Sequence, residues 1–260
     1  MEKIKETQKG FYGCYWPLEG STCAIIAMLG DDCEDYMAKM AVKWMQKKYG
    51  VSMLTLSPGH KDYSHHNLPV ERIGAAITYL KERGIKKIAI AGASTTGMYA
   101  LIAASYYPLT IAMTPADFVM EGFYQGKRDG QTEWPGEGES SVSWQGKPLP
   151  YLPYAYRHPE YGRKIKEEAK RGKDMIASLD IFRDSEAAHP IREEEYIKVE
   201  QIKGKLLLIG AKDDVLWDTV KYIRRMEARL AAREHTCEVE SGIYEHATHF
   251  VFPEGMVKAT

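Results

Sequence analysis

Three residue types that together perform acyl chemistry stand in this sequence, each just beyond a short apolar run. Residues 88–99 read IAIAGASTTGMY, so four small apolar residues lead into Gly92-Ala93-Ser94-Thr95-Thr96-Gly97 and then into a helix-compatible stretch. A serine placed between a strand and a helix can be a simple N-cap. It can also be a nucleophile raised on a sharp strand-to-helix turn, whose usual pattern is G-x-S-x-G. Here Thr96 stands where the second glycine is expected, and glycine follows one position later. A larger residue there makes close packing against a neighbouring strand harder, so the local pattern alone decides nothing.

A nucleophilic serine needs a base, and the base needs a group to orient it, in the chain order serine, acid, histidine. After the apolar run KLLLI come Asp213 and Asp214, followed by Trp217. A carboxylate there can accept a hydrogen bond from a histidine Nδ1–H and fix its tautomer. The same pair is also ordinary turn chemistry. Near the end of the sequence, His246 and His249 lie in YEHATHFVFP. His249 enters an apolar run and is the stronger candidate for the base. The conjunction of the three types, in order and each at a predicted strand end, carries more weight than any one of them. Two backbone N–H groups must also face the developing oxyanion. Thr95, next to the serine, should give one, and Asp31 or its neighbour Gly30, after the strand CAIIAM, should give the other. His60, Asp62, His65 and His66 cluster in sequence, but without a metal-ligand spacing. No metal and no cofactor are expected.

The elements that must hold these residues alternate. Strands are predicted at 23–28, 51–56, 87–91, 109–113, 205–209 and 237–244. Helices are predicted at 34–48, with Tyr36, Met37, Met40, Ala41, Trp44 and Met45 on one face, and at 69–83 and 219–233. Near-continuous apolar strands between helices imply a mostly parallel sheet covered on both faces. The alternation breaks at 121–200, which is rich in Tyr, Trp, Pro and Gly and then in charged helical sequence. It is predicted to be a cap inserted over one edge of a core made of 1–120 and 201–260. Its aromatics Tyr124, Trp134, Trp144, Tyr151, Tyr154 and Tyr156 are candidates for an acyl pocket, or for the packing of the cap itself.

The 260 residues carry 35 basic and 36 acidic side chains, a net charge of −1, without a basic stripe, which argues against a nucleic-acid partner. No apolar run has the length of a membrane span. The start has no apolar h-region. The four cysteines form no CxxC pair, and a reduced, cytoplasmic protein is the simplest expectation.

Four stretches carry a family resemblance: GIKKIAIAGASTTGMYALIAASYYP, SWQGKPLPYLPY, IKVEQIKGKLLLIGAKDDVLWDT and EHATHFVFPE. Together they resemble the α/β-hydrolase domain of the acyl-CoA thioesterase and bile-acid-CoA:amino-acid N-acyltransferase family, over most of residues 20–255. The resemblance implies an α/β-hydrolase fold, Ser94 as nucleophile, His249 as base and Asp214 as the acid, with Asp213 close behind. Serine rather than cysteine at this place is similar to the family's thioesterases and points to hydrolysis. The expected substrate is a small-molecule ester or thioester of a small to medium acyl group. Acyl transfer by the same residues and a hydrolase fold kept as a binding module are the rival readings, and homo-oligomerisation is left open. Three departures stand out. Thr96 replaces glycine, 260 residues leave no room for the β-sandwich domain that larger members carry at their amino end, and a closing helix is expected after His249, where the sequence soon ends.

Overall fold

The computed structural model describes residues 1–30, 32–60, 64–107, 110–125, 133–172, 176–251 and 254. Its centre is an eight-stranded sheet. Four strands come from the amino-terminal part: β1 (Glu2–Ile4), β2 (Gly13–Trp16), β3 (Cys23–Met28) and β4 (Ser52–Leu56). A short helix α1 (Glu6–Lys9) lies between the first two, and α2 (Tyr36–Tyr49) joins β3 to β4. Then follow β5 (Leu68–Pro69), α3 (Glu71–Glu82), β6 (Lys87–Ala93), α4 (Thr95–Tyr106) and β7 (Thr110–Met113). After β7 come β8 (Glu121–Gln125), β9 (Glu133–Ser140), β10 (Val142–Trp144), β11 (Lys147–Pro148), α5 (Glu160–Ala169) and α6 (Leu179–Ala188). The chain closes with β12 (Lys205–Ala211), α7 (Thr219–Ala232) and β13 (Glu238–Tyr244). The strand order in the main sheet is β1-β2-β4-β3-β6-β7-β12-β13. The pairs β1–β2 and β2–β4 are antiparallel and the rest parallel.

The predicted strands and longer helices are all present, with ends moved by a few residues. β1 and β2 were not predicted, because their seven residues lie in a stretch without a clear apolar period. Of the face predicted for α2, Ala41 is buried and Met37, Trp44 and Met45 line the groove beside the sheet, while Tyr36 does not belong to it. Ala38, Ala41 and Val42 are the buried residues of the helix, whereas Tyr36 is 73 % exposed.

Strand alternation sends neighbouring residues to opposite faces. Ile26 and Leu54 join the main core with residues of α3, α4 and α7, such as Ile73, Leu101 and Ile223. Ala27 and Met53 face the other way and pack against Val42 of α2. α4 is apolar all round, with nine of its residues buried from Thr96 to Ala104, as befits a helix enclosed between the sheet and the later elements. On the α2 side a groove of about 710 Å³ runs beside the helix, lined by Ile25, Ala89, Leu207 and Ile209 among others.

None of the described residues between β7 and β12 joins the main sheet. β8 and β9 form a two-stranded antiparallel sheet, and β5, β10 and β11 a three-stranded one. This excursion leaves from β7 and returns to β12, its direct neighbour, where Thr110–Met113 pair with Leu206–Ile209 in parallel. It therefore emerges from within the sheet and not from an edge. Its anchor is Glu121, fully buried, which accepts hydrogen bonds from the backbone N–H of Gly138 (3.0 Å) and Tyr154 (2.6 Å) and an ion pair from Arg157 (2.6 Å).

Candidate active site

Ser94 links β6 to α4 with φ 60° and ψ −130°, a conformation that a residue with a Cβ rarely adopts. Such strain persists only where the surroundings over-determine it. Here the Ser94 N–H donates to the carbonyl of Met113 on β7 (3.0 Å), and the Ser94 carbonyl accepts from Met98 N–H in the first turn of α4 (3.0 Å). Thr95 is the first residue of that helix, so its N–H has no partner within the helix by geometry.

Thr96 does not disturb the turn. Close approach is needed at other positions. A Cβ on Gly92 would lie 2.1 Å from the Thr96 carbonyl oxygen, and one on Gly97 would lie 2.9 Å from the Met113 carbonyl oxygen. Thr96 itself, buried, uses its hydroxyl as a clamp. The Oγ1 lies 2.5 Å from the Met28 carbonyl and 2.6 Å from the Ala93 carbonyl, and accepts from Ala93 N–H at 3.1 Å. Met28 ends β3, so the clamp ties the serine turn to the strand end that leads into Leu29 and Gly30. Thr96→Val keeps the shape and removes the bonds. It is expected to cost about 1–3 kcal/mol, the price of buried unsatisfied groups. For a chain of this size that lowers Tm by roughly 2–12 °C, which scanning calorimetry checks; an unchanged Tm would remove the clamp from the account.

Of the two aspartates after β12, Asp214 is buried and Asp213 exposed. Asp214 is held by backbone donors: Leu216 N–H reaches its Oδ1 at 2.9 Å. Of the two histidines, His246 is exposed and His249 buried. His249 Nδ1 lies 3.0 Å from Oδ1 and 2.9 Å from Oδ2 of Asp214. With the carboxylate as acceptor, Nδ1 carries the proton and Nε2 is left as an acceptor. Nε2 is buried and has no hydrogen-bond partner among the described residues. Trp217 fixes the ring from the side, with centroids 5.2 Å apart and planes at 72°, while its indole N–H donates to the Thr114 carbonyl (3.0 Å).

Ser94, Thr95, Gly30 and His249 line one cavity of about 240 Å³. Asp31, the other expected oxyanion residue, lies outside the described residues. The structure therefore brings Ser94, Thr95, Asp214 and His249 to one place, with Gly30 beside them. Of the six cap aromatics expected at the pocket, only Tyr154 lines this cavity among the described residues. Trp144 stacks on Tyr106 (4.1 Å), Trp134 packs on His158 (4.2 Å), and the hydroxyls of Tyr124 and Tyr156 bond to Glu139 and Asp184, so these four serve the cap and its joints. Phe123, Tyr161, Phe182 and Trp217 form the walls instead. Only Trp217 had a signal in the sequence, its fixed spacing from the aspartates. His60, His65 and His66 do not converge: each packs on a different ring, Tyr12, Phe123 and Tyr124. Asp62 lies outside the described residues.

The family model described as BAAT / acyl-CoA thioester hydrolase C terminal matches residues 68–254. The chain belongs to this family. The family's description is that of acyl-CoA thioester hydrolases, and the fold is the α/β-hydrolase fold. The esterase Pf2001 of Pyrococcus furiosus is similar in structure, with a TM-score of 0.53 at 14 % identity over 96 % of this chain and 88 % of that one. Est1E of Butyrivibrio proteoclasticus is also similar, with a TM-score of 0.46 at 14 % identity over 96 % of this chain and 89 % of that one. No curated protein matches significantly. The matched region runs from β5 through the excursion to the end of the described chain, and so takes in the serine turn, the acid and the histidine of this family member. Among the described residues, no helix is long and apolar enough to cross a membrane.

Proposed function

We propose that this family member is a serine hydrolase that cleaves a carboxylic ester or thioester through Ser94, His249 and Asp214. The observation that carries the reading is the state of His249. Its Nδ1 is bonded to both oxygens of a buried carboxylate, while its buried Nε2 has no partner among the described residues, and the ring lines the same cavity as a serine in a strained turn. A buried acceptor without a partner is costly unless function needs it.

In the reaction, His249 Nε2 takes the Ser94 Oγ proton as Oγ bonds to the acyl carbon. Asp214 holds the imidazolium that forms. The N–H of Thr95, at the positive end of α4, faces the oxyanion, and the backbone at Gly30–Asp31 supplies the second donor. His249 then returns the proton to the departing alcohol or thiol. Water, deprotonated by the same nitrogen, cleaves the acyl-enzyme and frees Ser94 and the acid. Residues 121–200 act as a cap, whose aromatic side chains keep bulk water from the acyl group. The four free cysteines fit a reducing, cytoplasmic setting.

The test is covalent labelling. A fluorophosphonate probe is expected to add once to the wild-type protein, and not at all to Ser94→Ala, as read by intact mass. A folded wild-type protein that takes no label would overturn the proposal. Turnover of p-nitrophenyl esters against acyl-CoAs then separates ester from thioester substrates.

A further inference from the structure

The cavity in front of Ser94 restricts what an acyl group held there can be. Among the described residues, six Phe, Tyr and Trp rings wall it: Phe123, Tyr154, Tyr161, Phe182, Trp217 and Phe250. Phe182 is the middle of the set. It meets Trp217 edge-on (5.2 Å, 75°) and Tyr154 edge-on (5.9 Å, 73°), and Trp217 in turn meets His249. The lining holds no Lys, Arg, Asp or Glu among the described residues. Three lining residues on the cap side carry hydroxyls, Tyr154, Tyr161 and Ser178, and that of Ser178 donates to the Leu216 carbonyl (2.9 Å).

We propose that the site takes a compact, uncharged acyl group, best an aromatic one of up to about ten non-hydrogen atoms, and that Phe182 sets the limit. The inference rests on the serine-hydrolase reading for the point of attachment. Size follows from the volume: an apolar cavity of about 150 Å³ holds benzene, so 240 Å³ holds a group somewhat larger than benzoyl. Shape follows from the walls, since rings standing edge-on to one another favour a flat, polarisable guest. Charge follows from the lining: a carboxylate on the acyl group would lose its water and find no Lys or Arg among the described lining residues. The larger groove beside α2 shares Leu29, Ala93, His249 and Phe250 with this cavity, but neither Ser94 nor Thr95 lines it. A chain bonded to Ser94 therefore starts in the small cavity and fills it first.

The test compares p-nitrophenyl butyrate, benzoate, decanoate and hemisuccinate, each kcat/KM divided by that ester's alkaline hydrolysis rate. Benzoate is expected at least tenfold above decanoate, with hemisuccinate lowest. Phe182→Ala is expected to narrow the benzoate-to-decanoate ratio at least tenfold, and Phe182→Leu, which disturbs packing less, to narrow it in the same direction. A wild-type preference for decanoate would place the tail in the larger groove and overturn the inference. So would ratios unchanged in both variants. Binding to Ser94→Ala gives an answer without turnover: acetophenone should quench tryptophan fluorescence at lower concentration than 2-undecanone, and the reverse order would overturn the inference. Failure of the hydrolase reading shows separately, as the absence of a fluorophosphonate adduct.

Discussion

Asp214→Asn is expected to lower kcat by about 10⁴-fold while leaving the fold intact. The substitution keeps the shape of a side chain that is almost fully buried. What it changes is the direction of one proton. The carboxylate accepts from His249 Nδ1, which leaves Nε2 as the acceptor that the proposed mechanism assigns to the Ser94 proton. An asparagine amide can donate to Nδ1 and push the imidazole proton to Nε2, where it blocks the transfer. Ser94→Ala and His249→Ala should each cost about 10⁶-fold, and the double variant no more than either, because the residues act as one unit. The measurement is kcat/KM for p-nitrophenyl butyrate, with circular dichroism as the check on folding. A loss under tenfold for Asp214→Asn, in a protein that still labels at Ser94, would remove Asp214 from the catalytic unit and leave the exposed Asp213 as the other nearby carboxylate.

Gly92→Ala is expected to be the most damaging single methyl group that can be added near the site. The new Cβ would lie 2.1 Å from the Thr96 carbonyl oxygen and 2.6 Å from its carbon. These are backbone atoms of the first turn of α4, so no side chain can swing aside. Relief requires the turn to open, and Ser94 then leaves its φ of 60°. Overpacking of this kind costs about 3 kcal/mol, or roughly 6–12 °C in Tm for a domain of this size. The loss of fluorophosphonate labelling should exceed what the stability loss explains, because the geometry of the turn itself is altered. Gly20→Ala is a control for added bulk, since a Cβ there meets nothing within 4 Å, although its φ of 76° carries its own small cost. Equal labelling rates in Gly92→Ala and the wild type would show that the turn tolerates opening.

The central sheet was legible because buried parallel strands leave unbroken apolar runs such as CAIIAM and KLLLI. The buried Asp214–His249 pair was legible in part. Order and strand-end position singled out His249, but two adjacent aspartates look alike in sequence, and only the burial of Asp214 and its bonds to His249 separate them. The glycine expected at position 96 was misread in its physical meaning. The chain needs a missing Cβ where backbones touch, at Gly92 and Gly97, and at 96 it uses a hydroxyl clamp. The pocket walls were the least legible. An aromatic residue has the same preference for burial whether it lines a cavity or fills a joint, so Tyr154 and Trp134 cannot be told apart without the fold. Phe182 gave no signal at all, as one apolar position in a charged amphipathic helix.

The pairing of β7 with β12 also sets a schedule for how the molecule comes into being. Synthesis delivers the chain from its amino end, and a domain can settle only as its segments become available. The strand and helix that flank Ser94 are released early, together with β3 and β4. Asp214 and His249 arrive only after the whole excursion, and β12 must then find β7 across that long intervening stretch, a contact of the slow, non-local kind. Until it does, Ser94 lacks the proton acceptor that the proposed mechanism gives it. On the proposed mechanism, the nascent chain thus carries its nucleophile unarmed until the last part of the sheet is in place.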